Sequence, residues 1–202
     1  MDTTTSFHPT TSKTGPYSMR LLQPHELLQL YDLNQLVAHD PANKAFLNPQ
    51  TQDFLAQCIQ PTTGFTIGVF DQDQLIGYRA VNYTSKHIEL VPSPLVAPVY
   101  YPKTAHFAGV AVAPAYQRQG IARHMVSMAL YRLYNQGFRY VTVRVRPTHE
   151  QSICLFTSFG FQIVYLKTSL EPVKECFFLL KELTPNDYKL SVGQAHFHLS
   201  VL

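Results

Sequence analysis

The residues best suited to chemistry stand in one short stretch, where an apolar run gives way to glycine and arginine. It reads Val112-Ala-Pro-Ala-Tyr-Gln-Arg-Gln-Gly-Ile-Ala122 and precedes a strong amphipathic helical pattern. At a helix start, several backbone N–H groups lack partners and the helix dipole favours negative charge. Gly120 lets a ligand approach the backbone, and Arg118 and Arg123 add positive charge beside it. The pattern predicts a site for a phosphate group.

The spacing of the motif residues and the net charge of the chain exclude several kinds of phosphate ligand. The stretch lacks the G-x-x-x-x-G-K-[ST] pattern of nucleotide triphosphate loops and the G-x-G-x-x-G pattern of dinucleotide folds. The net charge of +3 is too weak to imply a nucleic-acid partner. Six of the eight arginines nevertheless lie between residues 118 and 146. Among them, Arg139, Arg144 and Arg146 either bind a further phosphate or an acidic acceptor, or form a solvated surface.

The elements that must position this stretch follow from hydrophobic periodicity and turn residues. The pattern predicts the order β-α-α-β-β-β-α-β-α-β-β and therefore an α/β (α+β) domain. Its sheet is mixed and mostly antiparallel, with a central parallel β-α-β crossover and helices on both faces. The predicted strands are 17–22, 64–70, 75–83, 105–112, 140–145, 161–166 and 176–183, and the predicted helices are 24–38, one from about Thr51, 121–136 and 148–159. Thr148 and Gln151 fit a capping box for the last helix.

Length and composition indicate a single domain of 202 residues, with 46% hydrophobic residues, enough for a substantial core. We expect a loose arm over 1–17, the domain over 18–183 and a tail over 184–202. The alternating tail either adds an edge strand or meets a partner, and a homodimer is one such arrangement. The proline-rich segment 84–104 is read as a substrate lid or as a structural excursion.

The same composition excludes several other classes of protein. No window has the ~20 apolar residues of a membrane span, and the first residues do not resemble a signal peptide. Three widely spaced cysteines, Cys58, Cys154 and Cys176, favour a reducing, cytoplasmic location. His196 and His198 share one side of a strand without a third spaced ligand, so no metal site is expected.

Two motifs together resemble the GNAT superfamily of acyl-coenzyme A-dependent N-acetyltransferases. Gln117-x-x-Gly120-x-Ala122, after the apolar run 110–114, is similar to the coenzyme signature of that family. Leu155-Phe-Thr-Ser-Phe-Gly-Phe161 is similar to the family's L-Y-x-x-x-G-F at the end of the next helix. The element order matches over about 18–183, whereas the specific motifs are confined to 106–161.

The resemblance implies acetyl-coenzyme A as the acyl donor, with an amine attacking its thioester directly in a ternary complex. Strands 106–112 and 140–145 would splay apart and admit the pantetheine arm. The coenzyme would lie against Val110, Ala111, Val112, Gln117, Arg118, Gln119, Gly120, Ile121, Ala122, His149, Ser152 and Phe156. A backbone N–H would stabilise the developing oxyanion. The acceptor would be a small amine or a peptide N-terminus, and the composition and net charge of the chain give no preference between them.

The catalytic groups depart from the family pattern. Phe156 replaces the frequent tyrosine acid and cannot protonate a thiolate, so Tyr116, Tyr165 or water does so, or the thiolate leaves unassisted. His149 and Ser152 replace common Asn and Ala. His106, where histone-type members carry a glutamate, is the candidate base, because imidazole titrates near neutral pH; alternatively it has no chemical role. A catalytically weak acyl-coenzyme A-binding or regulatory module is therefore the competing function.

Overall fold

The computed structural model describes residues 17–43, 49–83, 96–167, 175–185 and 197–199. The strands are β1 (Tyr17–Leu21), β2 (Gly64–Asp71), β3 (Gln74–Tyr83), β4 (Thr104–Val112), β5 (Tyr140–Val145), β6 (Gln162–Lys167), β7 (Cys176–Glu182) and β8 (Phe197–Leu199). The helices are α1 (Leu27–His39), α2 (Gln52–Ile59), α3 (Ile121–Asn135) and α4 (Glu150–Ser158). Short 3-10 turns span Pro24–Glu26, Pro98–Lys103 and Pro114–Tyr116. The predicted order is confirmed.

In the described part of the chain the strands form one sheet in the order β6-β7-β5-β4-β3-β2-β1-β8. Neighbouring strands are antiparallel except for the parallel pairs β4–β5 and β1–β8. Helix α3 connects β4 to β5, so the predicted parallel crossover lies at the centre of the sheet. The tail contributes an edge strand, β8, beside β1.

Two apolar clusters cover the two faces of the sheet. Helices α1 and α2 pack on one face, through buried residues such as Leu30, Leu55 and Cys58, against Tyr78 and Ala80 of β3. Helix α3 packs on the other face and is the source of much of the larger cluster. Because side chains alternate along a strand, β3 sends Tyr78, Ala80 and Asn82 toward α1–α2 and the intervening residues toward α3. Helices on both faces are as predicted.

The ends of α3 and α4 follow their glycines. Gly137 and Gly160 both adopt a positive φ, and the following N–H in each case returns to a carbonyl one turn back. This is the Schellman arrangement expected of a helix stop. The predicted capping box is wrong: the N-cap of α4 is His149 rather than Thr148, and no side chain caps it. The backbone turn from His149 N–H to Arg146 O places the helix start one residue later.

The central parallel strands are paired over only part of their length. Residues 104–107 of β4 pair with residues 140–143 of β5, and we call this part the closed half. Residues 108–112 of β4 and 144–145 of β5 do not pair with each other, and we call them the open half. A register shift opposite Ala108 marks the boundary. Since β4 stays paired to β3 and β5 to β7, the separation opens a slot inside an otherwise continuous sheet.

The remaining predictions fall partly outside the described residues. Residues 1–16 of the arm and the segments 84–95 and 186–196 lie outside the described residues. Of the segment 84–104, predicted as a lid or a structural excursion, the structure describes only residues 96–104. Tyr17 begins β1, as in the predicted strand over 17–22. The last turn of the proline-rich segment places the Tyr100 ring against Tyr140, at the closed end of β5.

Candidate acyl-coenzyme A site

A cavity of about 900 Å³ follows the open half and reaches both faces of the sheet. Helix α1 and strand β3 contribute Asn34, Val37, Tyr78 and Arg79 to its wall. Strands β4 and β5 contribute residues 106–112 and 143–146. The turns and helices beyond them contribute residues such as Gly120, Ala122, His149 and Phe156. The slot between the strands therefore joins two chambers, one under α1–α2 and one under α3–α4.

The turn before α3 presents backbone N–H groups to this cavity. Arg118 and Gly120 both adopt a positive φ, of 63° and 79°, and this reverses the chain twice within three residues. The first backbone bond of the helix runs from His124 N–H to Gly120 O, at 3.1 Å. The N–H groups of 121–123 precede that bond and lack helical acceptors. Main-chain donors at a helix start form a built-in cradle for an anion.

Side chains hold the turn in shape. The Gln117 amide donates to Val112 O at 3.0 Å and closes the loop against the end of β4. The Tyr17 hydroxyl donates to Gln119 Oε1 at 2.8 Å, which ties the turn to β1. Tyr116, one candidate acid, donates its hydroxyl proton to Asp71 Oδ2 at 2.9 Å. Burial, followed by Asp71, raises the pKa of Tyr116, so this group is a poor proton source at neutral pH.

His106 lies on the α1–α2 face, at the boundary between the closed and open halves. It pairs across the sheet with Asn82 and Thr142, and its Nδ1 lies 2.8 Å from Thr142 Oγ1. The ring is buried but contributes to the cavity wall. The hydroxyl partner at Nδ1 helps to fix the orientation of the imidazole ring.

Beside His106, a chain of polar groups extends from α1 to the open half. Asn34 Nδ2 donates to the Tyr78 hydroxyl at 2.6 Å, and Asn34 Oδ1 accepts from Gln50 N–H at 2.8 Å. Burial raises the pKa of Tyr78 to about 12, so the phenol stays neutral. The Tyr78 hydroxyl lies directly over the backbone of β4, because a Cβ added at Gly109 would be only 3.6 Å from it. This chamber is therefore walled by neutral hydrogen-bonding groups.

The α3–α4 face of the slot is closed by aromatic rings. Phe156 is fully buried and packs on Phe161 and Phe107, with ring centroids 5.3 and 6.1 Å away. Arg79 reaches the same place from β3, with its guanidinium carbon 4.8 Å from the centre of the Phe107 ring and 5.3 Å from that of Phe156. It is 1% exposed and also lines the cavity.

The start of α4 forms a further wall of the cavity, across from the turn before α3. Ser152 Oγ lies 3.0 Å from His149 Nδ1, and both residues line the cavity. Burial, with a smaller contribution from the nearby Arg146, lowers the pKa of His149. The ring is therefore neutral at physiological pH, and Arg144 and Arg146 supply positive charge to this wall.

The structure brings most of the sequence-predicted site residues to one cavity. Lining it are His106, Val110, Ala111, Val112, Gln117, Arg118, Gly120, Ile121, Ala122, His149, Ser152 and Phe156. Gln119 belongs to the turn but is not among the lining residues. Arg139 lies elsewhere, where it binds Glu182 Oε1 at 3.1 Å and stacks on Tyr100. Tyr165 also lies elsewhere, on β6, with its ring stacked on Phe178.

Arg79, Tyr78 and Asn34 were missed by sequence reasoning. Arg79 carried one available signal, because it is the single charged residue in the ten residues of β3. A cation inside a strand that is otherwise buried on both faces is unusual unless it has a partner or a function. Tyr78 and Asn34 carried no comparable signal, since each reads as part of an ordinary amphipathic pattern.

The fold and cavity define an α/β protein whose central parallel strands separate beside the start of α3. The model of the acetyltransferase (GNAT) family matches residues 27–161, more than half of the chain, and the protein belongs to that family. A comparison with curated protein sequences gave no match. The described residues contain no cluster of His, Cys, Asp and Glu able to hold a metal ion, and none of their helices is long and apolar enough to cross a membrane.

Solved structures share the fold at low sequence identity. The ribosomal-protein-S18-alanine N-acetyltransferase of Escherichia coli is 16% identical with a TM-score of 0.63, over 83% of this chain and 94% of that one. The acetyltransferase YncA of Salmonella typhimurium, solved with its cofactor acetyl-CoA, is 15% identical with a TM-score of 0.63, over 84% and 95%. Ard1 of Thermoplasma volcanium is 13% identical with a TM-score of 0.63, over 84% and 99%.

Proposed function

We propose that this protein transfers an acetyl group from acetyl-coenzyme A to a primary amine of a small molecule or peptide. The observation that carries the proposal is the open half, which starts at the anion-binding turn and ends inside the sheet beside a histidine. Such a slot accommodates a long, narrow donor with phosphates at one end and a reactive carbonyl at the other. Membership in the GNAT family supports the same reaction class.

The donor is held mainly by main-chain groups. Its pyrophosphate meets the N–H groups of the turn before α3, while Arg118 and Arg123 line the same part of the cavity. On the side of β4 that faces the slot, residues 108–112 have no strand partner in the part of the chain that the structure describes. Amide groups of a pantetheine arm complete that edge as a strand would, because unpaired backbone polar groups are costly to leave unsatisfied.

The acceptor enters from the opposite side, through the chamber under α1–α2. His106 lies at the end of that chamber and takes the proton that the amine must lose before or during attack. The nitrogen then bonds to the acetyl carbon, the C–S bond breaks, and the coenzyme leaves as its thiolate. The neutral groups of Tyr78 and Asn34 orient an amine by hydrogen bonds rather than by charge. An uncharged amine, the nucleophilic form, is therefore favoured.

Thermal unfolding with and without acetyl-coenzyme A tests the donor site. We expect the unaltered protein to be stabilised by the coenzyme, and Gly120→Glu to lose that stabilisation because a carboxylate would meet the pyrophosphate. Gly137→Glu is the matched control, since Gly137 has the same φ of 79° at the remote end of α3. Both variants carry the same backbone strain, so only the loss of binding should separate them. Stabilisation that survives Gly120→Glu would place the coenzyme elsewhere.

A mass-spectrometric screen of amine and peptide pools, incubated with the protein and acetyl-coenzyme A, tests the transfer itself. The expected result is a product heavier by one acetyl group in a defined subset of amines. Binding of the coenzyme without any acetylated product would instead support the acyl-coenzyme A-binding module. The buried Phe156 ring, which offers no proton to a leaving thiolate, keeps that second function worth testing.

A further inference from the structure

Arg79 is a buried cation that forms no ion pair with any residue that the structure describes. Its Nε and one terminal nitrogen are fully buried and have no hydrogen-bond partner among the described residues. The rings of Phe107 and Phe156 contact the guanidinium, but a cation–π contact offsets only part of the cost of removing a charge from water. Burial accordingly lowers the pKa of Arg79 to about 9. The group remains positively charged at neutral pH.

Another arginine that stacks on a phenylalanine of the sheet, Arg20, has its charge paired within the fold. Arg20 lies over the Phe70 ring at 4.1 Å, and it binds both oxygens of Glu26 at 2.6 and 2.8 Å. The half-buried arginine on β1 is therefore paired, whereas the fully buried one on the central strand β3 has no counter-charge among the described residues. A buried charge left in this way is a prepared site for an anion.

The position of Arg79 shows which part of a bound donor it meets. Its sheet partner is Val110, in the open half, and its side chain extends past Phe107 to α4. Phe107 pairs with Val143, at the point where β4 and β5 come together and the slot ends. A donor whose phosphates lie at the turn before α3 must place its thioester at that inner end.

Arg79 and His106 also lie on opposite faces of the slot. Arg79 points toward α3–α4, whereas His106 pairs with Asn82, which faces α1–α2 as Tyr78 and Ala80 do. An amine that arrives from the His106 side expels the leaving group toward the other side. The ionisable neighbour of Arg79 is Tyr78 on the adjacent strand position, which burial keeps neutral. The carboxylates of Glu150 and Glu175 line the same cavity, but neither is among the groups that shift the pKa of Arg79.

We propose that Arg79 is the group that stabilises the departing coenzyme A thiolate, in place of an acid at position 156. This inference rests on the proposed function. As the amine nitrogen bonds to the acetyl carbon and the C–S bond breaks, the electron pair stays on sulfur. The guanidinium donates hydrogen bonds to that sulfur and gains its missing counter-charge, while the amine proton leaves through His106. A leaving thiol departs faster when its anion is stabilised.

The test compares binding of coenzyme A with binding of desulfo-coenzyme A, in which hydrogen replaces the thiol. We expect the unaltered protein to prefer coenzyme A by about tenfold, as for a charge-assisted hydrogen bond. Arg79→Met should abolish the preference, and Arg79→Lys should keep part of it. Acetyl transfer by Arg79→Met should fall by about 100-fold or more, as for loss of one preorganised donor. Arg132→Met is the control, because Arg132 stacks on Phe65 outside the cavity.

Stability separates this role from a structural one. Arg79→Met removes an unpaired buried charge, so the melting temperature of the free protein should stay unchanged or rise by roughly a few degrees. A fall in melting temperature with an intact preference for coenzyme A would overturn the proposal and make Arg79 structural. A preference for succinyl-coenzyme A as donor that Arg79→Met removes would assign the guanidinium to an acyl carboxylate and equally overturn it. Failure of the unaltered protein to bind either coenzyme would overturn the proposed function itself.

Discussion

The closed and open halves of the central crossover are built from the same two strands but differ in what completes them. In the closed half, residues 104–107 and 140–143 complete each other with backbone bonds and a layer of buried side chains. In the open half, β4 and β5 keep their outer partners and turn unpaired edges toward a cavity. The difference teaches that one element can be structural at one end and a binding surface at the other. Substitutions in the two halves should therefore affect different properties.

The largest effect is expected at the boundary, where His106 belongs to the pairing of one half and the cavity of the other. His106→Ala should lower acetyl transfer at least tenfold, and by about 10²–10⁴-fold if the loss is the one typical of a general base. Coenzyme binding and folding should persist, as checked by calorimetry and circular dichroism. His39→Ala, on the exposed last turn of α1, is the control. Unchanged activity in the purified His106 variant would remove the base assignment.

In the closed half, a substitution should cost stability rather than affinity. Val141 is fully buried between β4 and β7, and Val141→Ala removes two methyl groups from the core. We expect the free energy of unfolding to fall by about 2 kcal/mol in urea titrations. Coenzyme affinity measured below the unfolding transition should stay within about twofold of the unaltered value. A much larger loss of affinity would mean that the two halves are mechanically coupled.

The arginines at the two ends of β5 make a matched pair. Arg146, in the cavity wall of the open half, should contribute a charge-assisted contact to a coenzyme phosphate, so Arg146→Ala should weaken binding about tenfold. Arg139, at the closed end, is already engaged with Glu182 and Tyr100, and Arg139→Ala should change binding less than about twofold. Isothermal titration calorimetry checks both. Equal losses would mean that a phosphate lies at the closed end.

The smallest effect concerns pH and the wall of the open half. Burial holds the pKa of His149 below its unfolded value, so the unfolded chain takes up a proton first as the pH falls. Stability associated with the neutral ring is therefore present above the unfolded pKa of about 6.5 and is lost as the pH drops below it. The fall in melting temperature between about pH 7.5 and 5.5 should be smaller in His149→Gln. An equal fall would show that the ring is not buried in solution.

Local sequence signals predicted the elements well and their interruptions poorly. The apolar alternation, Gly120 and the stops at Gly137 and Gly160 were sufficient for the strands, the turn before α3 and the helix ends. Thr148 failed as a cap because the backbone turn at His149 starts α4 one residue later. The register shift opposite Ala108, which opens the slot, had no signal, since the residues on either side of it are equally apolar.

The sequence by itself determined the order of elements, the family and the residues of the turn before α3, because each depends on neighbours close in the chain. The tertiary structure alone decided that Tyr165 and Arg139 lie away from the cavity, and that Tyr78 and Asn34 form part of its wall. It also placed Arg79, which the sequence pattern shows only as an unusual charge in a strand, beside Phe156 and without an ion pair among the described residues. Such pairings join residues far apart in sequence, and burial and counter-charge depend on all the elements packed around a group.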